Sequence, residues 1–458
     1  MIEAIFAAFG IAALLLFLFI APARAVAVTC FAGWLLLPVG PYPTGSANSA
    51  FPYWITGAAV PSDMLLTKMW WPPVIALAGA LLTDRKTLAR WRPGWTDVPM
   101  ALWCLWPIGQ WSFITNPEPQ PWIASFYLAA AWGAPWLLGR VYFSGNDGRM
   151  RLITAIVAGL ALIAPIALLE GTLGPKLYGW IYELHPFRAD GVARYVGFRP
   201  IAFFEHGNQY GIWVAATALA AIWLWQAAPN PRMRGCLAAI AILALAIALM
   251  SQSVGAILLL CAGLAVSWAI GRPLTLWIIS VVILLTVAGG VIYLSGALPL
   301  RTIAKDTVIG RQIVDIIRST GRGSITWRIA RDQRALTLVG AHPVLGTARW
   351  DWWRQNNERP WGLALLILGQ FGLIGLVLAF GSLLLPALRA FAKQWNSHSW
   401  QRGHPAAPLA MIVLMTVGDA LLNSFIFYPA ILAAGALATD DGERVRIAHP
   451  ASIRPLIT

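Results

Sequence analysis

The chain is built from long apolar runs separated by short polar breaks. A bilayer core of roughly 30 Å requires about 17 to 25 apolar residues of a spanning helix. Runs of that kind recur near residues 2–20, 25–40, 63–82, 98–115, 122–140, 151–169, 208–226, 236–251, 254–270, 274–294, 361–385, 407–423 and 425–439. The pattern predicts an all-α fold, a polytopic membrane helix bundle of about 13 (12–14) transmembrane helices, the range set by short links such as APARA and SQS. Two stretches leave the pattern for long, 170–206 and 295–360. In the second, VIGRQIVDIIRS (308–319) sets Val308, Ile309, Ile313, Ile316 and Ile317 at helical spacing, with Arg311, Asp315 and Arg318 on another side. ITWRIARDQRALTLV (325–339) repeats the pattern with Ile325, Ile329, Leu336 and Val339. Two amphipathic helices lying over the bundle are therefore expected, the second ended by Pro343 and Gly346 in a sharp exit turn, HPVLG. The chain 1–458 reads as one membrane domain with two long loops.

Composition agrees and removes other classes. With 59% hydrophobic and 11% charged residues, the chain lacks the polar surface that a soluble protein of this length needs. No soluble domain of ordinary size is left over; the expected surroundings are a lipid bilayer, and no nucleic-acid partner is expected. The start, MIEAIFAAFGIAALLLFLFIAPARA, has no basic region before its apolar core and runs directly into another apolar stretch, so a retained first span is expected rather than a cleaved signal peptide. Cys30, Cys104, Cys236 and Cys261 fall inside apolar runs, as packing residues do.

Charge then orients the bundle. The short segments DRKTLARWR (84–92), GNDGRMR (145–151), NPRMR (230–234) and LRAFAKQWNSHSWQR (388–402) are basic, and the positive-inside trend makes them cytoplasmic. The links PYPTGSANSAFPYW (41–54) and NPEPQP (116–121) carry no Lys or Arg and fall on the other side, and parity puts both long loops there as well. The 295–360 loop nevertheless holds eleven Arg and Lys against five Asp and Glu, or +6. Three readings fit: long loops are exempt from the trend, the arginines lie on lipid headgroups, or they converge on an anion.

Four segments in order carry a resemblance: RYVGFRPIAFFEHGNQYG (194–211), MSQSVGAILLL (250–260), GRGSITWRIARDQRALTLVGAHPVLG (321–346) and WGLALLILGQFGLIGL (361–376), the last with Gln370, Gly372 and Gly375 as its ending. Over roughly 190–385 the chain resembles the bacterial O-antigen ligase and O-antigen polymerase superfamily; the first 190 residues match only as generic spans. One departure is clear. The family often has His-Asn at the start of the span after the large loop, where this chain has Trp361 and Gly362. The resemblance implies a multi-pass protein of the bacterial inner membrane that moves a glycan from an undecaprenyl diphosphate carrier to an acceptor hydroxyl at the periplasmic face. A flippase and a chain-length regulator of the same pathway are the partners it implies.

Such chemistry must hold and neutralise a leaving diphosphate, which an arginine fork does two oxygens at a time. Stabilising a developing anion is usually the largest catalytic term, and no metal or cofactor is called for. The candidates for diphosphate contact are Arg194, Arg199, Arg322, Arg328, Arg331 and Arg334. The last three read equally as a self-paired helix face, Asp332 standing four residues after Arg328. A base must lie within hydrogen-bond reach of the acceptor hydroxyl. Glu205 and His206 are the candidates, against readings of Glu205 as a counter-ion and His206 as a helix cap; a proton lost late to solvent would need neither. His342 reads as a turn residue, and His185 is unassigned. Trp327, Trp352 and Trp353 are candidates for stacking on sugar rings, although interfacial anchors look the same.

Rival readings separate on sequence features. A metal-dependent glycosyltransferase needs an acidic cluster in its first outer loop, where only Asp63 stands. A transporter or flippase of lipid-linked glycan would show two related halves with matching broken helices, and no such repeat is visible. Within the family, polymerase and ligase differ only in acceptor, and the absent His-Asn pair favours a polymerase over a ligase acting on lipid A core.

Overall fold

The computed structural model describes residues 1–40, 66–117, 119–182, 185, 196–269, 275–319, 323–354, 356, 358–396, 404–423, 425 and 427–439. Arg194, Arg322 and the 41–54 link lie outside them. The described residues are helical, with no strand among them. In chain order the main helices are α1 (Ile2–Phe19), α2 (Pro22–Leu36), α3 (Trp71–Thr83), α4 (Val98–Trp111), α5 (Ala134–Tyr142, entered through Pro121–Leu128 and a π turn), α6 (Gly145–Leu173), α7 (Gly207–Gln226) and α8 (Pro231–Met250). They continue with α9 (Val254–Ala269), α10 (Thr275–Ser295), α11 (Val308–Ser319), α12 (Gly323–Val339), α13 (Leu363–Asn396), α14 (Ala406–Asp419) and α15 (Tyr428–Leu437). Four stretches are long and apolar enough to cross a membrane: Ile2–Phe19, Gly145–Leu173, Pro231–Met250 and Leu363–Lys393. Several shorter apolar helices accompany them. The expected amphipathic pieces form as α11 and α12.

This is a membrane protein by its surface as well as its core. Leu15, Phe19, Leu82, Leu105, Ile242, Leu258, Leu284 and Val377 all stand exposed, an apolar exterior that lipid accepts and water does not. Without a hydrophobic drive between helices in lipid, small residues let backbones close up. At the crossing of α5 and α15, a Cβ on Gly139 would overlap the Leu432 carbonyl, and one on Gly435 would overlap that of Trp136.

The two ends of the bundle differ. At one, Asp97 accepts from Trp136 Nε1 at 2.9 Å and pairs with Arg140 at 3.3 Å. Arg149 donates to the carbonyls of Ala436 and Thr439 at the C-terminus of α15, where a helix dipole favours a cation. The helix α6 has 29 residues, about 43 Å at 1.5 Å per residue. It carries Arg149 and Arg151 in its first turns and Glu170 in its last, so it ties this basic end to the opposite one, where the long loops gather.

At that opposite end α13 is broken. Gly372 has φ 69° and ψ −173°, a conformation only glycine takes without strain. The freed backbone groups are taken up by the HPVLG turn: Leu373 N donates to Pro343 O at 2.9 Å, Thr347 N to Gly369 O at 3.0 Å and Ala348 N to Gln370 O at 2.9 Å. From α4, Gln110 Nε2 donates to the carbonyls of Leu345 and Gln370, and Trp106 Nε1 donates to Phe371 O at 2.8 Å. Non-helical backbone among apolar helices is tolerated where protein satisfies it in this way.

Candidate functional site

The first arginine of the site is fixed from below. Near the end of α6, Glu170 accepts from Ile201 N at 2.9 Å and Ala202 N at 2.6 Å. Phe198 N donates to Gly171 O at 3.1 Å across the left-handed Gly197. The loop so pinned delivers Arg199, 2% exposed, to the first turn of α7. Its guanidinium lies where a Cβ on Gly207 would be, and Nη2 donates to Asn208 Oδ1 at 2.7 Å.

A second arginine arrives from α12 on the same polar relay. Asn208 Nδ2 donates to Asn423 Oδ1 at 2.6 Å, and Arg328 Nη1 donates to that same oxygen at 2.8 Å. Asn423 in turn donates from Nδ2 to Asp419 Oδ1 at 2.6 Å. The turn carrying Asn423 is locked to the start of α13, Leu363 N donating to Asn423 O at 2.9 Å and Ala364 N to Ala420 O at 3.0 Å. Thus Arg199 and Arg328, from the two long loops, share one amide bridge whose far end is a carboxylate.

Two more cations stand beside it. Arg328 lies 5.3 Å and Arg359 4.9 Å from the Trp361 ring centroid, and Arg331 lies 5.4 Å from that of Trp327. Arg331 Nε also donates to Arg359 O at 3.3 Å. Burial and the neighbouring charge of Arg331 pull Arg359 down to about 9, so it is still protonated at neutral pH and an arriving anion would relieve the repulsion. Among the described residues, the cluster sets the carboxyls of Asp419 and Asp332 against Arg199, Arg328, Arg331 and Arg359.

Several expectations change in detail. Asp332 does not spend its oxygens on Arg328: Oδ1 accepts from Trp361 N at 2.6 Å and Oδ2 from the Tyr293 hydroxyl at 2.7 Å. Burial raises its carboxyl, against the pull of those donors and of Arg328. Arg334 turns to Glu358 at 2.8 Å in a partly exposed ion pair. Trp353 is 2% exposed and offers no face to a sugar, and Trp352 is wedged where a Cβ on Gly369 would go. Trp327, 47% exposed and tilted 5.4 Å from Trp361, is the open ring of the three.

The expected bases are engaged elsewhere. His206 caps α7, its ring nitrogen accepting from Asn208 N at 3.1 Å, and stacks on Phe425 at 5.3 Å. Glu205 is 2% exposed and takes the Gln209 amide at 3.1 Å. Burial raises its carboxyl, with the Lys68 ammonium and the Gln209 amide opposing. Lys68, wholly buried, donates to Phe203 O and lies over the rings of Trp34 and Phe204. His185 meets Phe204 O at 3.0 Å, and His342 stands in the turn that leaves α12.

Sequence reasoning passed over Asn208, Asn423, Asp419 and Arg359. The signal was present: Asp419 and Asn423 are polar residues at four-residue spacing inside an apolar run, and intramembrane ionisable residues are functional by default. An apolar cavity of about 460 Å³ opens between α9, α10, α13 and α14, bounded by Gly263, Gly290, Ala364, Met415, Gly418 and Leu421. Its lining at Leu421 is two residues from Asn423. No protein-family model matches the chain, and no curated protein matches it.

Proposed function

We propose that the protein is a membrane glycosyltransferase. It takes an oligosaccharide carried on undecaprenyl diphosphate and polymerises it, as an exopolysaccharide or O-antigen polymerase, without metal. The carrying observation is the bridge of Asn208 and Asn423 that holds Arg199 and Arg328 together. Preorganised arginines act on the charge that grows on the leaving diphosphate as the glycosidic bond breaks. Arg331 and Arg359 extend the cationic surface, and Trp327 offers a ring to a sugar. Arg194 and Arg322 belong to the same loops. The apolar cavity beside Asn423 suits the isoprenoid tail of a lipid carrier.

The proposed orientation is supported by α6, which has the basic segment 145–151 at one end and the site at the other. With about thirteen spans and the basic links cytoplasmic, the site opens to the periplasm of a bacterial inner membrane. There it receives carrier delivered by a flippase and works beside a chain-length regulator. Transfer to lipid A core, the ligase reaction, uses the same donor site with another acceptor.

The test is loss of polymer. Arg199→Ala and Arg328→Ala should each abolish glycan polymer while the protein remains in the membrane at wild-type amount. Wild-type polymer from both would remove the diphosphate site. Purified protein in liposomes separates the rival class, because elongation of a lipid-linked oligosaccharide means transferase, and transbilayer movement without bond formation means transporter.

A further inference from the structure

We propose that Asp419 is the base of the site, resting on the glycosyl-transfer reading above. Among the described residues it is the carboxylate hydrogen-bonded into the relay that joins Arg199 to Arg328. The other nearby acids are committed. Asp332 is fully buried, with both oxygens taken by Trp361 and Tyr293. Glu358 pairs with Arg334 through Oε1, and Glu205 takes the Gln209 amide on Oε2, the remaining oxygen of each being sealed from the surface.

Asp419 is held differently. It ends α14, with the amides of Leu422 and Asn423 closing on its carbonyl, so its backbone is fixed. Asn423 Nδ2 occupies Oδ1. Oδ2 takes no hydrogen bond among the described residues and is not sealed from the surface. One oxygen is thus anchored, and the other is open beside the arginines that would hold the diphosphate. The charges linked to Asp419 are Arg328 through Asn423, and Arg199 through Asn208 and Asn423.

In the step this assigns, the acceptor hydroxyl oxygen forms its bond to the anomeric carbon as the bond from that carbon to the diphosphate oxygen breaks. The electron pair of the broken bond stays on the diphosphate, facing the arginines. The hydroxyl proton passes to Asp419 Oδ2 and then to water. Because the base lies at the end of the same relay that orients the arginines, the acceptor arrives where the leaving group is neutralised.

The experiment uses full-length protein in liposomes, with the lipid-linked repeat that accumulates in a deletion strain as substrate and labelled undecaprenyl diphosphate as the binding probe. Asp419→Asn keeps the hydrogen bond to Asn423. It should bind the probe within about twofold of wild type while transfer falls by about 10²- to 10⁴-fold, the usual yield of a positioned base. Asp419→Glu should recover part of the rate with a displaced acidic limb of the pH profile. The inference is overturned by Asp419→Asn transferring at the wild-type rate, or by its losing probe binding in step with rate. It is equally overturned if the acidic limb survives in Asp419→Asn and vanishes in His206→Asn or Glu205→Gln. Failure of the underlying reading looks different: wild-type protein then neither elongates the substrate nor binds the probe through Arg199 and Arg328.

Discussion

At the scale of single residues, the site depends on who holds each arginine. Asn423 accepts from Asn208 and Arg328 and donates to Asp419. Asn423→Ala leaves buried partners unsatisfied, at a cost of about 1–3 kcal/mol, and a lowered melting temperature in detergent should accompany lost transfer. Arg328 and Arg334 lie six residues apart on one helix yet have different expected effects. The Arg334–Glu358 pair is partly exposed, and such pairs contribute about 0–1 kcal/mol. Rates for Arg334→Gln should stay within about tenfold of wild type, whereas Arg328→Gln should fall far further. The three-residue spacing of Arg328, Arg331 and Arg334 shows that they share a neighbourhood. It carries no information about Glu358, Arg359 or Asn423, which the fold brings in from elsewhere, so the distribution of partners was not legible in the helix alone.

At the scale of elements, buried Lys68 ties the segment before α3 to the entry of α7 by donating to Phe203 O, and its charge opposes the burial of the Glu205 carboxyl. Removing Lys68 leaves the Phe203 carbonyl without its donor and the Glu205 carboxyl without an opposing charge, and an unsatisfied buried polar group costs about 1–3 kcal/mol. Lys68→Met should therefore melt well below wild type, and adding Glu205→Gln should recover part of the loss. The pH sign follows from burial, which raises the Glu205 carboxyl in the folded state. Without Lys68 to oppose it, the stability contributed by the protonated form is present below the unfolded carboxyl value and is lost as pH rises through the folded one. The Lys68→Met variant should accordingly melt higher in mild acid than at neutral pH. The amphipathic helices α11 and α12 were readable because a 3.6-residue period survives any tertiary context. The break in α13 was not, since hydropathy is blind to backbone angles and 361–385 reads as one unbroken run. At Gly372 a Cβ would overlap Val344 O, and a residue other than glycine would add about 1–3 kcal/mol of strain at these backbone angles. Gly372→Ala should lower both melting temperature and yield of folded protein.

At the scale of the whole molecule, hydropathy identified the class, an all-helical chain with an apolar exterior, while the convergence of the two long loops required the packing of α7, α12, α13 and α14. Arg199 and Arg328 were singled out for their residue type and context. Asn423 and Asp419 stayed hidden because a span-finding average dissolves two polar residues in the apolar run around them. The cavity beside them gives a prediction at this scale. Gly263→Leu narrows it, and KM for a long-chain carrier should rise roughly tenfold, equivalent to about 1.4 kcal/mol, with kcat spared and a short water-soluble carrier unaffected. The docked HPVLG turn limits how this architecture can be recombined. Residues 343–348 lend their amides and carbonyls to the gap at Gly372, and Gln110 lends its side chain, so the arginine-bearing segment is not a cassette. A chimera joined just before Leu363 parts the turn from the helix break it was shaped for, whereas a junction beyond Ile374, with α4 supplied from the same parent, keeps both halves of that joint together.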